Sequence, residues 1–437
     1  QIWLSIVGFL VVFGIIFAIM SKRLTTVIAL AVIPLIGAIL VGKFNEIPAY
    51  MSAGISKVAV NGVMFFFAVL FFGTMMTAGA FDPVVKFIVK CCKGNPLYIC
   101  IGTYVLSIIG HLDGSATTTV LLVCGVMVPI YKKMNMRLRN LACILAMGSG
   151  LMNMSPWGGP TLRAATVMDI ELNTFFKPML VPILITLAIG LIPVIFLGLA
   201  ENKRLKAAGF EYHKVEISSG EEEMSEDERA LRRPKMTIPN LIVIVAVIAL
   251  MISGILTPGA AFLLGTVLAW MLNYRSLADQ QKIMRLHGPN MVFVVSALYG
   301  AGVLMGVLTN SGMAAAMANT LVSLIPASLT KFVPVFVGVL ATPLSLVFDA
   351  DTFYYGILPV LTQSAAALGI SGSGICYAAL VGQLTLGWAI TPLTPATLLM
   401  CGMCDLNLGD HQKFTLKFVW PLSIVLLIIM MIFGLIF

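Results

Sequence analysis

Asp113-Gly-Ser-Ala-Thr-Thr-Thr119 and Asp349-Ala-Asp-Thr-Phe-Tyr-Tyr355 decide how this chain is read. Each sets carboxylates and hydroxyls in the middle of strongly apolar sequence, and the leading aspartates stand 236 residues apart (349 − 113 = 236). About forty residues after each comes a stretch that a regular helix does not tolerate: Ser155-Pro-Trp-Gly-Gly-Pro-Thr161 and Thr391-Pro-Leu-Thr-Pro-Ala-Thr397, again 236 apart (391 − 155 = 236). Asp169 and Asp405 keep the same offset (405 − 169 = 236). Proline removes a backbone donor and glycine loosens the chain, so both stretches break their helices. A charge at membrane depth is costly and marks function by default. The same pattern met twice reads as one site built from two halves.

The surrounding composition makes the solvent a bilayer. Of 437 residues, 59% are hydrophobic and 11% charged, where soluble domains carry about 25% charge. Ile2–Met20, Leu241–Leu256 and Phe414–Phe437 are apolar runs suited to spanning hydrocarbon. Ser21-Lys-Arg23 after the first run reads as a loop rather than a cleavage site. The net charge of +8 lies in short loops and does not point to nucleic acid. The eight cysteines are scattered, mostly in apolar runs, and behave as small hydrophobes. Cys401-x-x-Cys404 lacks the histidine or second pair that would complete a metal set.

Nine of the 19 acids fall between Glu201 and Glu228, so residues 201–236 read as a solvated linker between repeats at 1–200 and 237–437. In the first repeat the spans are expected near 2–20, 25–42, 59–80 and 175–200, with a hairpin at 97–131 and a broken helix at 139–171. In the second they are expected near 238–256, 258–273, 289–311 and 414–437, with a hairpin at 329–366 and a broken helix at 374–405. Each hairpin segment holds two apolar pieces too short for two full spans, which suits a re-entrant loop with Asp113 or Asp349 at its tip. Five spans per repeat then invert the second repeat relative to the first. With the N-terminus outside, this places Lys22, Arg23, Lys86, Lys90, Lys93, Lys132, Lys133, Arg137, Arg139, Lys203, Arg204, Arg275, Lys282, Arg285 and Lys413 inside, against Lys43, Lys57, Lys177 and Lys331 outside. The positive-inside rule favours that arrangement over a parallel repeat of six spans. The fold class is therefore an all-α polytopic membrane protein of two inverted repeats, each of five transmembrane helices and one re-entrant hairpin. Both termini are expected outside and the linker in the cytoplasm.

Broken helices facing each other across an inverted repeat mark the substrate site of secondary transporters. Half-helix N-termini there attract anions. On this reading the substrate-binding candidates are Gly114, Ser115, Thr117, Pro156, Gly158, Gly159, Thr161 and Arg163 in the first repeat, and Ala350, Thr352, Thr391, Thr394, Pro395 and Thr397 in the second. Asp113, Asp349, Asp351 and His111 are candidates for a metal ion or a proton. Carboxylates and hydroxyls are hard ligands for Mg²⁺, Ca²⁺ or Na⁺, and a buried carboxylate or histidine also carries protons. The bland alternatives are helix capping for Asp349 and Asp351 and a structural role for His111. Arg163 either clamps a substrate carboxylate, snorkels, or pairs with Asp169. Trp157, Trp388, Tyr354 and Tyr355 are expected to pack around the site.

His111-Leu-Asp-Gly114 with Ala116-Thr-Thr118, Ser155-Pro-Trp-Gly-Gly-Pro-Thr161, Thr394-Pro-Ala-Thr397 and Leu408-Gly-Asp-His-Gln412 followed by Phe414-Thr-Leu-Lys417 resemble the citrate–divalent metal:proton symporter family of the ion transporter superfamily. The likeness runs over essentially the whole chain. It implies uptake of citrate or a related tricarboxylate with a divalent metal of the Mg or Ca class, and protons as the coupling ion. It also implies a homodimer in the cell membrane, with scaffold and transport domains that work as an elevator, and interfacial helices at 82–96 and 312–330. Related sodium-coupled symporters carry Ser-Asn-Thr hairpin tips. Here those places hold Asp113-Gly-Ser115 and Asp349-Ala-Asp351, and Ser115 stands where a second acid is usual in the resembled family. A sodium-coupled di- or tricarboxylate symporter is the alternative. No Gly-x-Gly-Asp protease motif, His-Glu-x-x-His or nucleotide-binding loop is present, so the chain does not read as an enzyme.

Overall fold

The computed structural model describes residues 2–21, 23–92, 94–209, 226–324 and 330–437. The middle of the expected linker (210–225), Gln1, Lys22, Lys93 and residues 325–329 lie outside the described residues. All regular structure among the described residues is helical. The first half comprises α1 (Ile2–Met20), α2 (Thr26–Leu40), α3 (Ile47–Ala78), α4 (Asp82–Cys92), α5 (Pro96–Gly110), α6 (Ala116–Lys133), α7 (Leu138–Met152), α8 (Gly159–Val167), the short α9 (Leu172–Phe176) and α10 (Leu180–Ala207). After α11 (Glu226–Leu231) the order recurs as α12 (Thr237–Ile252), α13 (Pro258–Asn273), α14 (Leu277–Asn310), α15 (Met313–Leu324), α16 (Val333–Leu344), α17 (Leu358–Ala367), α18 (Gly372–Leu380), α19 (Pro395–Met403) and α20 (Leu408–Ile432).

Among the described residues six helices are long and apolar enough to cross a membrane, or seven if α14, bent by 49° after Pro289, counts as one span. Their outer faces show large apolar side chains without cover, such as Phe13, Phe17, Ile192, Phe196, Ile242 and Val245. In water such a surface would aggregate, whereas lipid covers it.

The two halves meet where α3 crosses α14, and α2 then packs on α14 as α13 packs on α3. The crossing is close because it is lined by glycine. A Cβ on Gly54 would sit 3.0 Å from Gly306 Cα, and one on Gly302 would sit 2.8 Å from the Gly54 carbonyl oxygen. Small residues of this kind let membrane helices approach backbone to backbone. Around this pair stand α1 on α2 and α12 on α13. The remaining elements form a second group: α5 lies against α4, α6, α7 and α10, while α16 lies against α18 and α20, and α6 reaches α19.

Both hairpin segments contain two helices with a break between them. At 15 and 12 residues, α5 and α16 are too short to cross about 30 Å of hydrocarbon; α6, at 18 residues, meets the length test, and α17 continues a π-helical segment, Thr352–Ile357. The structure differs from the sequence reading in three places. Helices α3 and α14 each begin twelve residues before the expected 59 and 289, because the stretches ahead of those points carry residues such as Pro48, Gly54, Lys57, Asp279 and Lys282 that mask a continuous helix. Helix α10 runs on into the expected linker as far as Ala207. Its Glu201 is fully buried between Arg137 and Arg204, with Asn140 donating to it at 3.0 Å. The second broken helix stops at Leu380, far earlier than its proline pair suggests.

Candidate functional site

The first tip, residues 111–115, is a turn built by its own side chains. Gly114 adopts φ +68°, a conformation that strains any residue with a Cβ, and a Cβ there would stand 3.1 Å from the Trp157 carbonyl oxygen. Asp113 Oδ1 accepts from the Ser115 N–H at 2.9 Å, an Asx turn. Ser115 caps α6, accepting from the N–H of Thr118 at 3.3 Å and from its hydroxyl at 3.0 Å. His111 is fully buried, with Nδ1 2.7 Å from Thr119 Oγ1. That hydroxyl has one proton and two carbonyls to receive it, Ser115 at 2.7 Å and Gly110 at 3.1 Å. The bond pattern therefore assigns the proton on neutral His111 to Nδ1. Nε2 is left as a buried acceptor with no partner.

The first break, residues 153–158, separates α7 from α8. Pro160 in the first turn of α8 removes an N–H that would have no intrahelical partner anyway. Ser155 Oγ, Trp157 Nε1 and Thr161 Oγ1 are buried without partners. Trp157 packs its ring on Phe72 of α3 and Phe262 of α13, with centroids 4.9 and 5.6 Å away. One turn into α8, Arg163 folds back over Gly159, where a Cβ would lie 2.7 Å from its Nη1. Its Nε and Nη2 both donate to Asp351 Oδ1, at 2.8 and 2.7 Å.

The second tip supplies that aspartate. Asp349 Oδ1 accepts from the Thr352 N–H at 2.7 Å, so it does cap the following turn. That turn is a π-helical segment, Thr352–Ile357, leading into α17; such segments recur at functional sites. Ala350 lies between the two acids, and Thr352 Oγ1 is buried without a partner. Tyr355 lies under the Arg163 guanidinium, 5.7 Å from ring centre to Cζ.

The second break spans residues 381–394 and is fastened from all sides. Leu384 takes φ +52°, an unfavourable value for a leucine, and the surrounding carbonyls are claimed by side chains. Asn153 donates to Leu384 at 2.7 Å, Tyr354 to Gln383 at 2.8 Å, Thr397 to Trp388 at 2.7 Å and Gln412 to Ile390 at 2.8 Å. His411 uses both ring nitrogens, Nε2 at 2.8 Å from the Ala389 carbonyl and Nδ1 at 3.1 Å from Thr415. Ser345 Oγ accepts from the Leu384 N–H at 3.0 Å. Backbone freed at membrane depth must be satisfied by protein in this way.

The candidates from sequence thus fall into two groups. His111, Asp113, Gly114 and Ser115 form the first tip, which meets the first break (Pro156, Gly158 and Gly159 on either side of Trp157) where Gly114 approaches Trp157; Thr117 is exposed in the first turn of α6, and His111 lies parallel to the Trp388 ring at 6.2 Å. The second tip, Asp349, Ala350, Asp351 and Thr352, is tied to α8 through the bond of Asp351 with Arg163, and Thr161 stands two residues before that arginine with its hydroxyl unpartnered. Thr394, Pro395 and Thr397 start α19, and both threonine hydroxyls lie within bonding distance of the Trp388 carbonyl, while Thr391 Oγ1 accepts from the Leu393 N–H at 3.2 Å. Arg163 does not pair with Asp169, which instead meets Lys57 of α3 at 3.1 Å. Sequence spacing suggested the near partner, whereas the fold supplies one 188 residues away. Asn153, Ser345, His411 and Gln412 are not among the candidates from sequence; Asn153 and Ser345 are single polar residues in apolar surroundings, whereas His411 and Gln412 belong to the Leu408-Gly-Asp-His-Gln412 motif of the resemblance. Among the described residues no group of three or more His, Cys, Asp or Glu side chains is arranged to hold a metal ion. Cys404 faces Cys124 at 3.8 Å with both thiols free.

A family model for citrate transporters matches residues 15–382. The chain belongs to the citrate transporter family. Two curated relatives from Bacillus subtilis (strain 168) align end to end. A citrate transporter is 37% identical over 99% of both chains, and an Mg(2+)/citrate complex secondary transporter is 34% identical over 99% of this chain and 98% of its own. Among solved structures, the Alcanivorax borkumensis YdaH transporter matches with TM-score 0.61 at 13% identity, covering 90% of this chain and 88% of that one. Neisseria gonorrhoeae MtrF matches with TM-score 0.57, also at 13% identity, covering 89% and 84%. These two likenesses show that this citrate transporter family member has a transporter's fold.

Proposed function

We propose that this chain is a secondary active transporter that imports citrate as a complex with a divalent metal of the Mg or Ca class, by proton symport. One observation carries the reading. The partnerless buried polar atoms found among the described residues, on His111, Ser155, Trp157, Thr161 and Thr352, all lie on the two tips and the first break. Native proteins rarely leave such groups unpaired, and a site that waits for a polar ligand is one reason to do so. The atoms offer hydroxyls, an indole N–H and an imidazole acceptor, a set suited to a hydroxylated carboxylate. Family membership and the metal–citrate relative support the substrate. The scattered acids support metal as cargo: the first tip supplies one carboxylate, Asp113, the second supplies Asp349 and an Asp351 already held by Arg163, and citrate itself completes the coordination.

In this mechanism the hairpins and broken helices, α4–α10 and α15–α20, form the moving body. The crossing of α3 with α14, with α1, α2, α12 and α13 around it, is the fixed scaffold. The repeats are inverted, the carrier is a homodimer in the cell membrane, both termini face outside and the linker lies in the cytoplasm. His111 Nε2 and Asp113 accept the coupled proton, since both are buried next to the open site. The test is labelled-citrate uptake into proteoliposomes with each divalent metal in turn. Uptake is expected to follow an inward proton gradient and to require the metal. Uptake that follows a sodium gradient alone would replace this reading with sodium-coupled di- or tricarboxylate symport.

A further inference from the structure

We propose that the Arg163–Asp351 pair is the ligand filter of the site, a resident ion pair that only a ligand with both a cationic and an anionic pole can replace. The inference rests on the metal–citrate reading above. Both side chains are buried, at 9% and 8% exposure, and they join the two halves of the chain across the site. Both guanidinium bonds converge on one oxygen, Oδ1. Either of them can be traded without the aspartate leaving the guanidinium altogether. The nearest unpaired groups are neutral: Thr161 two residues before the arginine and Thr352 next after the aspartate.

A buried charge that loses its partner is strongly unfavourable, whereas exchanging one complete set of partners for another is not. Free citrate offers carboxylates to Arg163 but leaves Asp351 without a counter-charge. It also enters a site whose formal charge is already negative: Asp113, Asp349 and Asp351 against Arg163 give −3 + 1 = −2. Citrate carrying a divalent cation satisfies both ends at once, with a carboxylate on the guanidinium and the metal on the aspartate. The preference for the complex then arises from the ion pair and not from a preformed metal cage, which the described residues do not provide.

Binding to the purified full-length protein in lipid nanodiscs separates these cases. The ligands are citrate with excess Mg²⁺, citrate with a chelator, and Mg²⁺ alone. Wild-type protein is expected to bind the Mg²⁺ form at least about tenfold more tightly than free citrate. In Asp351→Asn that ratio collapses to within about twofold, because free citrate binds better once no aspartate has to be abandoned. The double variant Arg163→Gln/Asp351→Asn removes both charges, leaves no unpaired ion, and provides the folded control if the single variant is unstable. It is expected to bind both forms weakly and without preference. An Asp351→Asn or double variant that keeps the wild-type ratio overturns the filter while leaving the transport reading intact. A wild-type protein that binds neither form overturns both.

Discussion

The two helix breaks hold equivalent places in the chain, yet they are finished in opposite ways. Helices α8 and α19 that follow them keep the 236-residue offset at both ends (395 − 159 and 403 − 167). Both also end on an aspartate at positive φ, Asp169 and Asp405 at +55° and +53°. The second break is nonetheless a closed network, in which Asn153, Tyr354, Thr397, His411 and Gln412 hold its carbonyls. The first leaves Ser155, Trp157 and Thr161 unpartnered. The two buried histidines repeat the contrast. His411 is bonded through both nitrogens, and His111 through one. A repeated architecture therefore does not give two equal half-sites. One break is closed by its own bonds, and the other leaves buried polar atoms unpaired.

The largest effect should come from splitting the charge pair that joins the first break to the second tip. Arg163→Met leaves Asp351 buried and uncompensated, which is expected to destabilise the protein by about 3–5 kcal/mol. Thermal unfolding in detergent reads this as a large drop in Tm together with loss of uptake. Adding Asp351→Asn should recover most of the stability without the transport. If Arg163→Met keeps its Tm, the pair is solvated in the folded protein and the comparison loses its strongest element.

Next are the fasteners of the second break. His411→Ala and Asn153→Ala each strand a buried carbonyl, at about 1–3 kcal/mol. Both should lower Tm, and the His411→Ala protein that stays folded should keep its KM for citrate, because both ring nitrogens of His411 are already engaged, at Ala389 and Thr415. A His411→Ala protein with normal Tm and raised KM would move the substrate to the second break.

The same contrast explains what could be read from sequence. Tips, breaks and their offset were legible because Asp, Thr, Pro and Gly interrupt apolar sequence at matching places. The width of the second break was not. Val381-Gly-Gln-Leu-Thr-Leu-Gly-Trp-Ala-Ile390 is apolar enough to pass for a helix continuing to Pro392. Its unwinding is held by Ser345, Tyr354, Asn153 and His411, all remote in the chain. Arg163 was recognised, but its partner was not, because pairing across 188 residues is a property of the assembled fold. The early start of α3 was hidden for a related reason: Lys57 looks like loop until Asp169 is seen opposite it, at 3.1 Å.

The unpartnered hydroxyls make the opposite prediction to the fasteners. Thr161→Val and Ser155→Ala remove groups that bond to nothing in the structure, so stability should change by less than about 0.5 kcal/mol or rise. Hydrogen bonds to a charged ligand contribute about 1.5–3 kcal/mol, so citrate binding should weaken about tenfold or more. Measuring Tm and citrate affinity on the same preparations checks both halves of the claim. A fall in Tm with unchanged affinity would make these hydroxyls structural and erase the difference between the two breaks.

The smallest expected effect sits where the first break's helix ends. Asp169 meets Lys57 of α3 at 3.1 Å, with the side chains 44% and 47% exposed. Its counterpart Asp405 is exposed. A half-solvated pair contributes about 0–1 kcal/mol, so Lys57→Gln should barely shift Tm. In the proposed mechanism, however, this pair joins the moving body to the scaffold, so it must open in each cycle. Removing it then biases the carrier away from the conformation in the structure, and uptake rate should change a few-fold at unchanged stability. The reversed pair, Lys57→Asp with Asp169→Lys, should restore the rate, because it restores the contact with the charges exchanged. A rate that stays altered in the reversed pair would mean that Lys57 acts through its own position near the first break and not as a latch between two bodies.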